Sequence, residues 1–125
     1  MQDYHQLEIW QRAMDYTVEI YRFVAQLSDS ERYNLTSQLR KAATSVPLNI
    51  AEGAGCGGQS EFARFLSYSY RSLKEVVTSL ELCARLYPSV SPQAVAKLVD
   101  EGNQIARMTH SLISHLGLPP DLGHG

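Results

Sequence analysis

The sequence predicts an all-α protein built as an antiparallel up-down-up-down four-helix bundle. Apolar residues recur at three- and four-residue spacing through four long segments, and serine, glycine or proline clusters separate these segments. No stretch alternates apolar and polar residues as a half-buried strand does. At 125 residues the chain has the size of one domain. We assign residues 1–117 to the bundle and 118–125 to a flexible C-terminal tail.

The first segment ends before Ser28-Asp29-Ser30, which supplies an N-cap for the second helix. Its spacing is typical of an amphipathic helix with one buried stripe. The expected stripe consists of Leu7, Trp10, Met14, Thr17, Tyr21 and Val24, flanked by Ala13, Ile20 and Leu27.

The second segment contains a proline within its helical pattern. Pro47 lacks an N–H donor and crowds the carbonyl of Ala43, so we expect a kinked helix, with Thr44 and Ser45 helping to satisfy the freed carbonyls. Gly53 is expected to end the helix in the left-handed conformation. The predicted stripe is Leu35, Leu39, Ala42, Val46 and Ile50, with Ala43 beside it.

The third segment has the most regular pattern, a heptad-like register that favours a long rod lying against equally long neighbours. Its stripe is Phe62, Leu66, Ser69, Leu73, Val76, Leu80, Cys83 and Tyr87. Ser60 is expected to cap the start, and Pro88 disfavours helical geometry at Tyr87.

The fourth segment opens with Ser91 as N-cap and Pro92 at the first helical position, and Gly117 closes it. Gly102 and Asn103 are expected to weaken its middle. The predicted stripe is Val95, Leu98, Ile105, Thr109, Leu112 and Leu116.

Composition argues against several classes of function. A net charge of -2 removes the general attraction to nucleic acid, and the polar N-terminus has no secretory signal pattern. Cys56 and Cys83 form no C-x-x-C pattern and the histidines have no metal-ligand spacing. We therefore expect a cytoplasmic, membrane-free, non-enzymatic protein, and assign no catalytic, cofactor-binding or metal-binding residue.

The apolar residues exceed what one bundle core is expected to hold, which favours self-association. The surplus comprises Ile9, Trp10, Ile20, Phe65, Tyr68, Tyr70 and Val77. We expect the large aromatics Trp10, Tyr21, Phe62 and Phe65 to act as core or interface anchors.

Two groups of polar residues are candidate sites. In the first, Arg40 is expected to pair with Glu75, while Asn49 and Glu52 bond carbonyls around Pro47; the alternative is that these residues line a channel or a ligand-contacting rim.

The second group is Arg64, Arg71 and Lys74, which share one helix face that would suit nucleic acid or an acidic protein. Because Glu61, Glu75 and Glu81 interleave with these cations, a solvated face of mixed charge is the favoured interpretation.

The chain also contains three stretches in a recognisable order: LEIWQRA at 7–13, LTSQLRKAATSVPLNIAEG at 35–53 and EFARFL at 61–66, followed by Ser72 and Glu75. Together they resemble the bacterial four-helix-bundle family, also labelled the 23S rRNA intervening-sequence protein or S23 family. The resemblance spans residues 4–116.

This resemblance implies a protomer that assembles into a ring-shaped homopentamer, often with a central channel. Some members are encoded within intervening sequences of ribosomal RNA genes, and related retroelement accessory proteins bind reverse transcriptase and nucleic acid. Members commonly carry basic residues after the second helix, where this chain has GCGG at 55–58, and Arg71 stands where a glycine is usual. Losing these loop cations favours a self-associating scaffold over an RNA- or reverse-transcriptase-binding accessory protein.

Overall fold

The computed structural model describes residues 3–27 and 33–116, which are almost entirely helical. Within these ranges there is no β-strand, and the all-α prediction is confirmed. A short 3-10 helix, Tyr4–Gln6, precedes α1 (Glu8–Ala25), α2 (Tyr33–Gly55), α3 (Gln59–Leu86) and α4 (Pro92–His115). The predicted cap at Ser28-Asp29-Ser30, the stop at Gly117 and the tail at 118–125 lie outside the described residues.

The four helices pack as a bundle around one apolar core. α1 and α3 each pack against both α2 and α4, and the α2–α3 interface is the most extensive. The α1–α2 side of the bundle therefore lies opposite the α3–α4 side. α2 runs through Pro47 as a single helix; the up-down-up-down course and the kink stay predictions.

The buried face of α3 is the one that the heptad pattern predicts. All of its predicted positions from Phe62 to Cys83 are buried, and Tyr87 is half-buried just beyond the helix end. The predicted buried face of α1 was wrong. The helix is rotated relative to that prediction, so that Met14 and Tyr21, which were expected in the core, are exposed. The buried residues of α1 are Ile9, Ala13, Tyr16, Ile20, Phe23 and Val24.

Two predicted helix ends differ from the observed ones. α2 continues past Gly53 to Gly55, and the glycine with positive φ is Gly57. Gly53 instead permits close packing, since a Cβ there would lie 2.7 Å from the Phe65 Cβ. Ser60 lies inside α3, whose N-cap is Gly58 without a side-chain hydrogen bond. By contrast, Ser91 caps α4 by accepting from the Ala94 amide at 3.2 Å.

The carbonyl facing Pro47 receives its hydrogen bond from another helix. Thr17 Oγ1 on α1 donates to the Ala43 oxygen at 3.0 Å, sharing its proton with the Ala13 oxygen at 2.8 Å. Thr44 and Ser45, the residues expected for this task, donate to other carbonyls of α2. A buried carbonyl without a partner is costly, so this contact ties α1 to the middle of α2.

A glycine lets α1 approach α4 closely. Gly102 is buried in α4, and a Cβ there would lie 2.5 Å from Tyr16 Oη and 3.0 Å from Val77 Cγ2. The Tyr16 hydroxyl donates to the Leu98 oxygen at 2.8 Å. The residue predicted only to weaken α4 is therefore a packing position against Tyr16.

Candidate interaction surfaces

The polar residues predicted as one network are placed in separate contacts. Glu75 accepts from Gln38 Nε2 at 2.6 Å, and among the described residues it forms no ion pair with Arg40. Asn49 Nδ2 donates to the Ser45 oxygen at 2.8 Å, one turn back along α2. Glu52 is exposed. These residues therefore do not converge on one site.

Ser45 links α2 to α3 through a second polar contact. Its hydroxyl donates to the Ala42 oxygen and contacts the Ser72 hydroxyl on α3. Ser69, which is fully buried, donates to the Val46 oxygen at 2.8 Å. Small hydroxyl residues therefore join the two helices around Pro47.

The four aromatic anchors occupy different environments. Phe62 is buried in the core, whereas Trp10 and Phe65 are half-buried. The Trp10 ring makes an edge contact with the Tyr4 ring, with centroids 5.2 Å apart. Tyr21 is 45% exposed on the outside of α1. Tyr21 is thus the most exposed of the four anchors in the single chain.

An apolar surface runs along the outside of α1 and onto α2. Met14, Val18 and Tyr21 follow one another at four- and three-residue spacing, so they share a face of α1, and they are 42–46% exposed. The Tyr21 hydroxyl lies 3.3 Å from Thr44 Oγ1 on α2, and Leu48, one turn beyond, is 61% exposed. We name Met14, Val18, Tyr21 and Leu48 the α1–α2 apolar face.

This face differs from the predicted surplus of apolar residues. Of that surplus, Ile9, Ile20 and Val77 are buried within the single chain, whereas Trp10, Phe65, Tyr68 and Tyr70 are half-buried. Met14 was predicted to lie in the buried stripe of α1, and Val18 and Leu48 were not identified as surface candidates. The spacing of Met14, Val18 and Tyr21 was the available signal, but α1 is apolar on two sides and spacing alone does not say which side faces the core.

The three predicted cations Arg64, Arg71 and Lys74 lie exposed on α3, and we name them the α3 basic row. Arg64 forms a bidentate salt bridge with Glu61, with Nη2–Oε2 at 2.7 Å and Nε–Oε1 at 3.1 Å. Its Nη1 also donates to the Tyr68 hydroxyl at 2.9 Å. These hydrogen bonds raise the pKa of Arg64, and the one to Glu61 lowers the pKa of that carboxyl.

The other two cations lie over tyrosine rings. The Arg71 guanidinium is 5.9 Å from the Tyr68 ring centroid, and Lys74 Nζ is 5.4 Å from the Tyr70 centroid. Such cation–π contacts orient the charges while leaving them accessible to solvent. The basic row is therefore an ordered surface, but one of its three charges is already compensated by Glu61.

The two cysteines lie in different environments. Cys56 is exposed and Cys83 is buried. Between residues 3–27 and 33–116, no three histidine, cysteine or acidic side chains converge as metal ligands would. None of the four described helices combines the length and apolar character needed to span a membrane.

Comparison with known proteins identifies both a family and a fold. The family described as 23S rRNA-intervening sequence protein matches residues 5–111. A protein of unknown function from the S23 ribosomal protein family of Bacteroides thetaiotaomicron, with a 1.70 Å crystal structure, is similar with a TM-score of 0.74. The two share 19% identity over 84% of this chain and 97% of that one. No curated protein matches significantly.

Proposed function

The chain belongs to the 23S rRNA-intervening sequence protein family, and from that premise we propose that it is a non-enzymatic scaffold that assembles with copies of itself. The α1–α2 apolar face is the proposed contact surface. Five copies is the stoichiometry that the resemblance in the sequence implies. The scaffold is proposed to act in the cytoplasm, where its assembled surface is available to a protein or RNA partner.

The observation that carries this proposal is the exposure of four large apolar side chains on one continuous face. Leu48 is 61% exposed and the three α1 residues are 42–46% exposed. Removing apolar surface from water stabilises an association by about 25 cal/mol per Å². Single exposed apolar residues are ordinary, whereas a contiguous group on neighbouring helices is typical of an interaction surface.

Exposed charged residues lie on the same two helices as this face, as charged residues do at the rim of many interfaces. Asp15 and Glu19 are exposed on α1, and Glu19 is paired with Arg22 at 2.8 Å. Lys41 is exposed on α2. Charges of both signs at the rim would fix the orientation of one copy against the next.

The proposal of a non-enzymatic role is supported by how the candidate polar groups are used. Glu61 holds Arg64, Glu75 accepts from Gln38, and Asn49 donates to a backbone carbonyl. Each of these contacts lies within a helix or joins two neighbouring helices. Packing and surface contacts therefore account for these residues, and none of the contacts requires a reacting group.

The test is the mass of the protein in solution, measured by size-exclusion chromatography with light scattering. The chain has a mass of 14.0 kDa, and we expect the native protein at five times that mass. Leu48→Lys should shift it to single chains, because a charge would then be buried at the contact. Leu86→Lys is the matched control, since Leu86 is 57% exposed on α3 and away from the face. A native protein that is a single chain at high concentration, or an equal effect of both substitutions, would overturn the proposal.

The alternative function is an accessory protein that binds RNA or reverse transcriptase through the α3 basic row. Compensation of Arg64 by Glu61 reduces the charge available to phosphates, so the scaffold is favoured. Under the alternative, the protein would retard structured RNA in a gel in a salt-dependent manner. Neutralising Arg64, Arg71 and Lys74 together would then abolish the retardation, whereas under the scaffold proposal the native protein does not depend on these three charges to retard RNA.

A further inference from the structure

A second concave surface lies on the opposite side of the bundle from the α1–α2 apolar face. It is a groove of about 580 Å³ between α3 and α4, within the size range of small-molecule sites. Tyr70 and Lys74 line it from α3. Asn103, Arg107 and His110 line it from α4, together with the small residues Ala106 and Ser111. We name this surface the α3–α4 groove.

The groove is lined by basic and neutral groups, and its lining contains no carboxylate. Within the described parts of the chain, neither Lys74 nor Arg107 has a carboxylate within ion-pairing distance. Two cationic side chains facing one concave surface attract an anion, and an arginine fork matches the oxygens of a phosphate. The net charge of -2 makes this local excess of positive charge a distinctive feature of the molecule.

The acidic residues nearest to the groove along α3 and α4 have other hydrogen-bond partners. Glu101 binds Arg12 on α1, with oxygens 2.6 and 2.9 Å from Nη2. Asp100 accepts from Gln104 Nε2 at 2.8 Å. Glu75 accepts from α2, as described above. The charge of Glu101 is thus compensated by Arg12, whereas Asp100 and Glu75 keep their charges but are directed toward neutral amides and not toward Lys74 or Arg107.

The groove also offers aromatic and hydrogen-bonding groups beside the cations. The Tyr70 and His110 rings lie with centroids 6.4 Å apart and planes tilted by 55°. Lys74 Nζ lies 5.4 Å from the Tyr70 centroid, so a positive charge and an aromatic surface are adjacent. Asn103 and Ser111 add groups that can donate or accept hydrogen bonds at the edges of a base or sugar.

We propose that the α3–α4 groove binds a nucleotide, with Lys74 and Arg107 on its phosphate and Tyr70 against its base. Cations beside an aromatic ring form the combination by which proteins hold phosphate and base together. The ligand is either a free nucleotide or the phosphorylated end of a nucleic-acid strand, which present the same chemical group. This site is separate from the α1–α2 apolar face and does not depend on self-association.

The experiment is calorimetric titration of the full chain with adenosine 5′-monophosphate, with adenosine and inorganic phosphate as partial ligands. We expect the monophosphate to bind with a Kd at or below about 1 mM, and each partial ligand about tenfold more weakly or worse. Amide shifts in ¹⁵N NMR spectra should concentrate around Tyr70, Asn103 and His110. Lys74→Gln with Arg107→Gln should weaken binding about tenfold or more, since two charge-assisted contacts are lost.

The matched control is Arg85→Gln with Lys97→Gln, which makes the same change of charge on exposed positions of α3 and α4 outside the groove. The control should bind the monophosphate like the native protein. Absence of binding, equal binding of adenosine or inorganic phosphate, or equal loss in both double variants would overturn the proposal. A 5′-phosphorylated oligonucleotide that competes and binds more tightly supports a strand end as the ligand, and weaker competition supports the free nucleotide.

Discussion

Replacing Gly102 by alanine tests whether the close approach of α1 and α4 depends on the absence of a side chain. In a helix interior, alanine is favoured over glycine by about 1 kcal/mol. The new Cβ would lie 2.5 Å from Tyr16 Oη, so the tyrosine must move. Overpacking of this kind costs about 1–3 kcal/mol. Displacing the hydroxyl from the Leu98 oxygen costs about 1–3 kcal/mol more.

These magnitudes give a net loss of about 1–5 kcal/mol in the free energy of unfolding for Gly102→Ala. We expect a value near the middle of this range, about 3 kcal/mol. The assay is denaturant unfolding followed by far-UV circular dichroism at one fixed protein concentration, because self-association would couple stability to concentration. Gly55→Ala, at the last residue of α2, is the control for adding a methyl group in open space, since no heavy atom lies within 4 Å of its Cβ position.

A double variant separates the steric effect from other causes. Tyr16→Phe removes the oxygen at 2.5 Å, after which Val77 Cγ2 at 3.0 Å and the ring carbon at 3.1 Å are nearest. Gly102→Ala should therefore cost at least about 1 kcal/mol less in the Tyr16→Phe background. Equal costs in both backgrounds, or a Gly102→Ala protein as stable as the native one, would refute the steric explanation.

Three further predictions concern the same core. Thr17→Val should lower the free energy of unfolding by about 1–2 kcal/mol in chemical denaturation, while Thr17→Ser should retain most of it, because the Ala43 carbonyl keeps its donor. Gly53→Ala should lower the thermal midpoint, since its Cβ would meet Phe65 at 2.7 Å; an unchanged midpoint would contradict this packing. Burial raises the pKa of the Tyr16 phenol above its ordinary value of 10.0. The contribution of the neutral Tyr16 phenol to the free energy of unfolding is therefore complete below pH 10 and falls as the pH rises further. The unfolding free energy of Tyr16→Phe, measured over the same pH range, should lack this decrease.

The sequence alone predicted the elements better than it predicted their faces. The α3 stripe was correct because one regular heptad register places Phe62, Leu73 and Cys83 on the same side. The α1 stripe was wrong because Tyr16 can be buried with its hydroxyl bonded to a carbonyl, which leaves Met14 outside. Spacing identifies an amphipathic helix, but two apolar sides on one helix require the neighbouring helices to decide between them.

Contacts that depend on tertiary structure were the part that could not be predicted. Pairing Arg40 with Glu75 follows charge, whereas the observed partner of Glu75 is the neutral Gln38. Arg107 and Lys74 lie on different helices, and only the packing of α3 on α4 brings them to one groove. Long-range neighbours of this kind leave no periodic signal in a single chain.

The hydrogen bond from Thr17 to Ala43 also has a consequence for folding. In a segment corresponding to α2, released from the rest of the chain, the Ala43 carbonyl would lack both the Thr17 donor and the regular helical donor, because Pro47 has no N–H. Docking of α1 therefore adds a hydrogen bond at the middle of α2 that the isolated helix lacks. Formation of α2 is in this way coupled to a helix that precedes it in the chain, and removing α1 should lower the helical content of α2 around Pro47.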